Sequence, residues 1–136
     1  MSRRVVTKAR NGRLVWTCST CCQPVANGRG YVCVDSNQAG LTHARHETVD
    51  FEYRKRQEAE GSLVPYPLDE VWDDPVPWAA YHHGCDPRPD SGDYWFAVER
   101  CRTLAEFLHW SAHLLEKRWF AHTDWRDLMG WLGVDR

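Results

Sequence analysis

"LVWTCSTCCQPVANGRGYVCV", Leu14 to Val34, holds four of the chain's six cysteines, three of them within five residues. Such a cluster has three chemical readings: halves of disulfides, a redox pair, or metal ligands. The opening residues "MSRRVVTKAR" lack the apolar centre of a signal peptide, and no segment approaches the roughly 18 uninterrupted apolar residues of a membrane span. A cytoplasmic protein with no membrane association is therefore expected, and in a reducing compartment disulfides are rare. A redox pair needs Cys18 to open a helix, and Pro24, Asn27 and Gly28 so soon afterwards argue against one. Metal ligation is the reading that survives best.

Its complement lies some 60 residues further on, in "YHHGC", Tyr81 to Cys85. Cys18-x-x-Cys21 and His82-x-x-Cys85 read as the two halves of a Cys3His zinc site. Two residues between ligands let a tight turn aim both side chains at one ion, and two such turns facing each other complete a tetrahedron. One structural Zn2+ is expected, holding the three thiols deprotonated near neutral pH. Cys22 and His83 stand as substitute ligands, because spacing does not separate adjacent residues. Cys22 also follows the second ligand, where the backbone of a knuckle turns sharply. Cys33, alternating within a strand, and Cys101, just before a helix, read as small core residues.

These motifs resemble those of the small zinc-ribbon and treble-clef zinc-finger proteins, and "CSTCCQPVANGRGYVCV" with a later Trp and "HHGC" is similar to the first half of a LIM finger. The resemblance covers residues 14–35 and 78–85. It implies that Cys18, Cys21, His82 and Cys85 bind zinc and that the module recognises proteins or nucleic acid. A zinc-ribbon-like core with a large insertion fits the long gap between the ligand pairs better than a LIM finger does.

The expected fold is a single α+β domain over residues 1–136: zinc-knuckle β-hairpins with a long insertion, and two C-terminal helices packed on them. Residues 1–12 form a basic, flexible arm, 13–99 the β unit with its insertion at 36–77, and 103–133 the helical part. "RLVWTC" and "GYVCVD" read as two strands of one hairpin, and "WAAYH" and "DYWFAVE" as a second pair. Residues 42–61 mix helical charge pairs with strand-like alternation, and a helix is favoured. Four prolines between Pro65 and Pro77 exclude a regular element there. Thr103-x-x-Glu106 has capping-box spacing, opening a helix whose inward stripe is Leu104, Phe107, Leu108, Ser111, Leu115 and Trp119. A last helix is capped by Thr123 or Asp124 and stopped at Gly133.

Fourteen Arg against three Lys, and no Ile, suggest a GC-rich bacterium or its phage as source. Residues 1–35 carry six basic groups against one acid, residues 36–93 five against twelve, and the rest six of each. The net charge of −2 is too small for the field of a dedicated nucleic-acid binder. Function is then sought on the surface. Eight tryptophans are many for this length; Trp16, Trp78 and Trp95 are expected in the core, while Trp110, Phe120 and Trp131 are candidates for an aromatic patch gripping a protein partner. Glu106, His109, His113 and Glu116 share a helix face opposite the apolar stripe and read as solvated, as do His43 and His46.

The leading functional expectation is a non-enzymatic, zinc-stabilised protein acting through protein–protein contact, with no small-molecule substrate. The first alternative is nucleic-acid binding through Arg3, Arg4, Lys8, Arg10 and Arg13. The second is a metal-dependent nuclease of the HNH type with His82 or His83 as base.

Overall fold

The computed structural model describes residues 4–61 and 63–133. Its main elements are β1 (Val6–Lys8), β2 (Leu14–Trp16), β3 (Gly30–Val34), α1 (Ser36–Glu60), β4 (Trp78–His82), β5 (Tyr94–Ala97), α2 (Leu104–Leu114) and α3 (Trp125–Trp131). The fold is α+β, with one two-stranded and one three-stranded antiparallel sheet.

Alternation of side chains sets the larger sheet. β3 lies at its centre, flanked by β4 and β5. Val32 and Val34, with Ala80, Trp78 and Phe96 opposite them, fill the inner face; Tyr31 and Cys33, opposite Tyr81, Ala79, Ala97 and Trp95, take the outer one. The expected strand pairs are thus rearranged. "RLVWTC" pairs with the N-terminal segment rather than with "GYVCVD", and β4 and β5 each pair with β3 rather than with each other. Residues 6–8 are consequently no free arm: they form a strand, and Val5 and Val6 are buried. Arg3, the first residue of the basic group, lies outside the described residues.

The helix favoured over 42–61 exists and starts earlier, at Ser36, where Asp35 accepts a hydrogen bond from the Gln38 N–H. It ends on Gly61 in the left-handed conformation. Only Ala39 of its 25 residues is buried, so its main tie to the rest is the turn at Phe120–His122. The proline-rich return carries only a short 3-10 turn, Leu68–Glu70.

The capping box at Thr103 and Glu106 is formed in full. α2 nevertheless stops at Leu114, which is buried, and leaves Leu108 and Leu115 exposed, correcting the expected stripe. One buried cluster runs from Val5 to Leu132. Phe107 stacks on Trp125 at 4.7 Å and Phe96 on Trp110 at 4.5 Å. The indoles can be hidden because their N–H groups find acceptors: Trp16 on Cys101 O, Trp78 on Thr123 Oγ1, Trp125 on Ser111 Oγ and Trp110 on Arg100 O. Trp95 departs from expectation, because alternation in β5 turns Phe96 inward and Trp95 out, 62% exposed.

Candidate metal centre

Two turns at strand ends build the centre. After β2, the Cys18 N–H donates to Gln23 O and the Cys22 N–H to Cys18 O, closing the loop on itself. This forces Cys22 to φ 66°, the conformation for which glycine is the usual choice. After β4, the Cys85 N–H donates to His82 O. The turns are tied together by Ser19 N–H to Ala80 O and by the Thr20 hydroxyl to Cys85 O, both at 2.8 Å.

The result brings Cys18, Cys21, His82 and Cys85 together, with one ligand atom of each within 4.8 Å of the others. His82 Nδ1 lies 3.3 Å from Cys21 Sγ and 3.9 Å from Cys85 Sγ. Ligand atoms at roughly 2.0–2.3 Å from a tetrahedral ion stand roughly 3.5–3.8 Å apart, so the group has room for one metal ion. A backbone carbonyl orients the imidazole for ligation, since Nε2 lies 3.1 Å from Pro24 O, to which it can donate only as N–H, leaving the Nδ1 lone pair facing the thiols.

Electrostatics divides the cysteines by role. Burial alone would raise the Cys18 thiol, but hydrogen bonds from the backbone of Cys21, His82 and Thr20, with a smaller contribution from the neighbouring His82 side chain, outweigh it and bring it to about 6. Cys85 is pushed up to about 11 by burial and by its hydrogen bonds and repulsion with Cys18 and Cys21. Thiolates crowded together resist a second negative charge, and a cation among them removes that resistance. Cys33 and Cys101 are each buried and raised to about 12 by it; Cys101 joins the core cluster as read from the sequence, whereas Cys33 is covered on the outer face of the larger sheet. No disulfide joins any of the cysteines.

The substitute ligands stay outside the group: Cys22 is exposed, and exposed His83 packs its ring on Tyr31 at 5.8 Å. Sequence reading missed a positioning residue, Gly30. It pairs with His82 across β3 and β4, and a Cβ there would stand 2.0 Å from Tyr81 O and 2.8 Å from Val25. Only a bare backbone lets the ligand-bearing end of β4 approach so closely. A Gly opening a strand was the one local mark; that this strand lies beside the ligand-bearing one is decided by packing.

The other candidates fare differently. Trp110, Phe120 and Trp131 are partly buried and packed on the core, and so do not form an open patch; the Arg4 guanidinium covers Trp131 at 6.0 Å from the ring centroid. Glu106 is spent on the capping box, and His113 reaches Glu116 only at 3.9 Å. Among the described residues no helix is long and apolar enough to cross a membrane. No family model, curated protein or solved structure matches the chain, and the site's own geometry carries its interpretation.

Proposed function

We propose that the chain is a zinc-stabilised, non-enzymatic binding protein that acts through contact with another protein. Three thiolates and an imidazole suit zinc, and four protein ligands leave the ion no open position for water or substrate. Cys18, Cys21, Cys85 and His82 hold the ion, whose contribution is to cross-link two turns that a small core cannot fix alone. The observation that carries the binding reading is the outward display of indoles. Trp72 and Trp95 are 81% and 62% exposed while the other tryptophans are buried or packed on the core. Exposed indoles of this kind anchor protein interfaces.

Metal analysis of the purified chain should find one zinc, lost in Cys18→Ser and in Cys85→Ser. A Trp72→Ala/Trp95→Ala chain should keep its zinc and its melting temperature yet fail to retain a protein that the native chain captures from the lysate of a GC-rich bacterium. An identical capture profile overturns the reading, as does turnover of nucleic acid by the zinc-loaded chain. The nuclease alternative gains no support from His82, whose two ring nitrogens face the thiols and Pro24 O.

One observation favours nucleic acid as a second reading. The turn between β1 and β2, closed by Ala9 N–H to Arg13 O at 2.8 Å, gathers exposed Lys8, Arg10 and Arg13 around one tip. Three phosphate contacts there would give a salt slope of about −3 on duplex DNA. No shift of a mixed-sequence probe at low salt eliminates it.

A further inference from the structure

The outer face of the larger sheet is where the second metal-site turn goes next. Residues 83–93 leave the turn and fold along this face, and together they enclose a cleft of about 310 Å3. Its floor is Tyr31 and Cys33 of β3, and its walls are Trp95 of β5, His83, Asp86 and Asp93. The three rings do not stack: Tyr31 meets Trp95 edge-on at 5.8 Å and 62° and His83 tilted at 5.8 Å and 46°, and all three line the one cleft.

The charge of this space has one sign. Asp86 accepts from the Tyr31 hydroxyl and from the Arg88 backbone N–H, while Asp93 receives the Arg88 guanidinium at 3.2 Å, which also reaches Asp35 at 3.3 Å. Of these groups Asp86 and Asp93 line the cleft while Arg88 and Asp35 stand outside it, and the one guanidinium is shared between Asp93 and Asp35, so the cleft itself presents acids. Aromatic faces carry a negative quadrupole and add to the same field. An anion is repelled here. A neutral apolar group strips water from the carboxylates and returns nothing. A cation at the end of an apolar stem satisfies both the rings and the acids.

From this we propose that the cleft binds the side-chain ammonium of a lysine, methylated or not, presented by a protein partner. The proposal rests on the protein-binding reading above and names the chemistry of what is bound. The volume is at the small end for ligand sites and suits one long side chain. The ammonium sits against Trp95 and Tyr31 with Asp93 and Asp86 behind it, and its stem lies along the indole. Arg88 competes for Asp93, so it tempers the site rather than building it.

The experiment uses the zinc-loaded full chain and four amidated probes: N-acetyl-lysine, N-acetyl-trimethyl-lysine, N-acetyl-norleucine and N-acetyl-glutamate. Titration is followed by the NMR signals of the Trp95 indole and of residues 86–93. Both lysine probes should give saturable shifts, weakened roughly tenfold in Trp95→Ala, as expected for loss of a cation–π partner. Asp93→Asn should weaken them several-fold and Arg88→Ala should strengthen them. Equal binding of norleucine or glutamate, affinity unchanged in Trp95→Ala, or no saturable shift with either lysine probe overturns the proposal. Trp95 is exposed, so its truncation leaves the fold testable, with zinc content as the check. Should the probes fail while Trp72→Ala/Trp95→Ala still abolishes partner capture, the cationic ligand falls and the protein-binding reading stands.

Discussion

Histidines gather with other metal-binding side chains at the Cys18, Cys21, His82 and Cys85 centre and again where α1 meets the turn at Phe120–His122. At the second place His43 Nδ1 lies 3.2 Å from His122 Nε2, and the His46 and His122 rings are 4.7 Å apart. The residues look richer in ligands than the first set, yet their nitrogens disperse. His43 Nε2 goes to Glu47 at 2.7 Å, and His46 Nε2 to Asp73 at 3.1 Å, which also takes Arg45. Among the described residues only the Cys3His group brings three or more ligand atoms within 4.8 Å of one another. The difference lies in the backbone. A turn between two strands points neighbouring side chains into one space, whereas a helix spreads His43 and His46 along a surface where each finds its own partner.

The largest effect should come from removing a ligand of the convergent cluster. Cys18→Ser leaves the metal one donor short at a buried position, 1% exposed, and should cost several kcal/mol, a large share of a domain's stability. Loss of the metal by native mass spectrometry together with loss of the cooperative melt is the expected result. His43→Ala or His46→Ala should leave the metal content unchanged. A metal lost on either helix substitution would erase the distinction between the clusters.

Next comes a pair of glycines, one near each cluster. Gly30→Ala drives a Cβ into Tyr81 O beside the ligand His82, and should cost about 2–4 kcal/mol while weakening metal retention against a chelator. Gly40 lies inside α1, and a Cβ there meets nothing within 4 Å. Gly40→Ala should therefore stabilise by about 0.5–1 kcal/mol. Chemical denaturation of both variants reads the two signs. Equal effects would mean that close backbone approach is not what shapes the centre.

A smaller effect tests the strained knuckle. Cys22→Gly relieves the left-handed backbone while loosening the unfolded chain, two terms of about 1 kcal/mol that largely offset. Metal stoichiometry should stay at one and the melting temperature should hardly move. Loss of the metal would make Cys22 a ligand after all.

How much of this could be read from residues alone follows from the same geometry. The centre was legible because its ligands come in two local pairs, each fixed by its own turn, and their identity needs no knowledge of how the strands are ordered. Strand partners were not legible. β2 joins a three-residue strand whose only fully buried member is Val6, inside a segment that reads as a basic arm. β3 accepts partners that arrive far later in the chain, and such pairings are decided by packing rather than local propensity. The exposure of Trp95 shows the limit of alternation, which tells that Trp95 and Phe96 face opposite ways but not which face the helices cover. α1 hid its docking residue for a similar reason, since His122 is supplied from beyond both β4 and β5.

The least effect, and the sharpest test of the dispersed cluster, is its response to acid. His122 is held below its ordinary 6.5 by burial, and then by the neighbouring His46 and His43, with Arg45 adding and Asp73 opposing. Glu47 faces the same contact through His43. A lowered folded-state value means that the unfolded chain takes up this proton first. The contact's contribution is therefore full above about 6.5 and fades as pH falls below it. Melting native and His122→Gln chains from pH 8 to pH 5.5 at saturating zinc isolates this term, because metal loss and the half-buried Asp124 carboxyl, raised to about 6, act alike on both. The native chain's advantage should shrink toward pH 5.5. A difference that stays constant would mean that α1 is held by something other than its histidines.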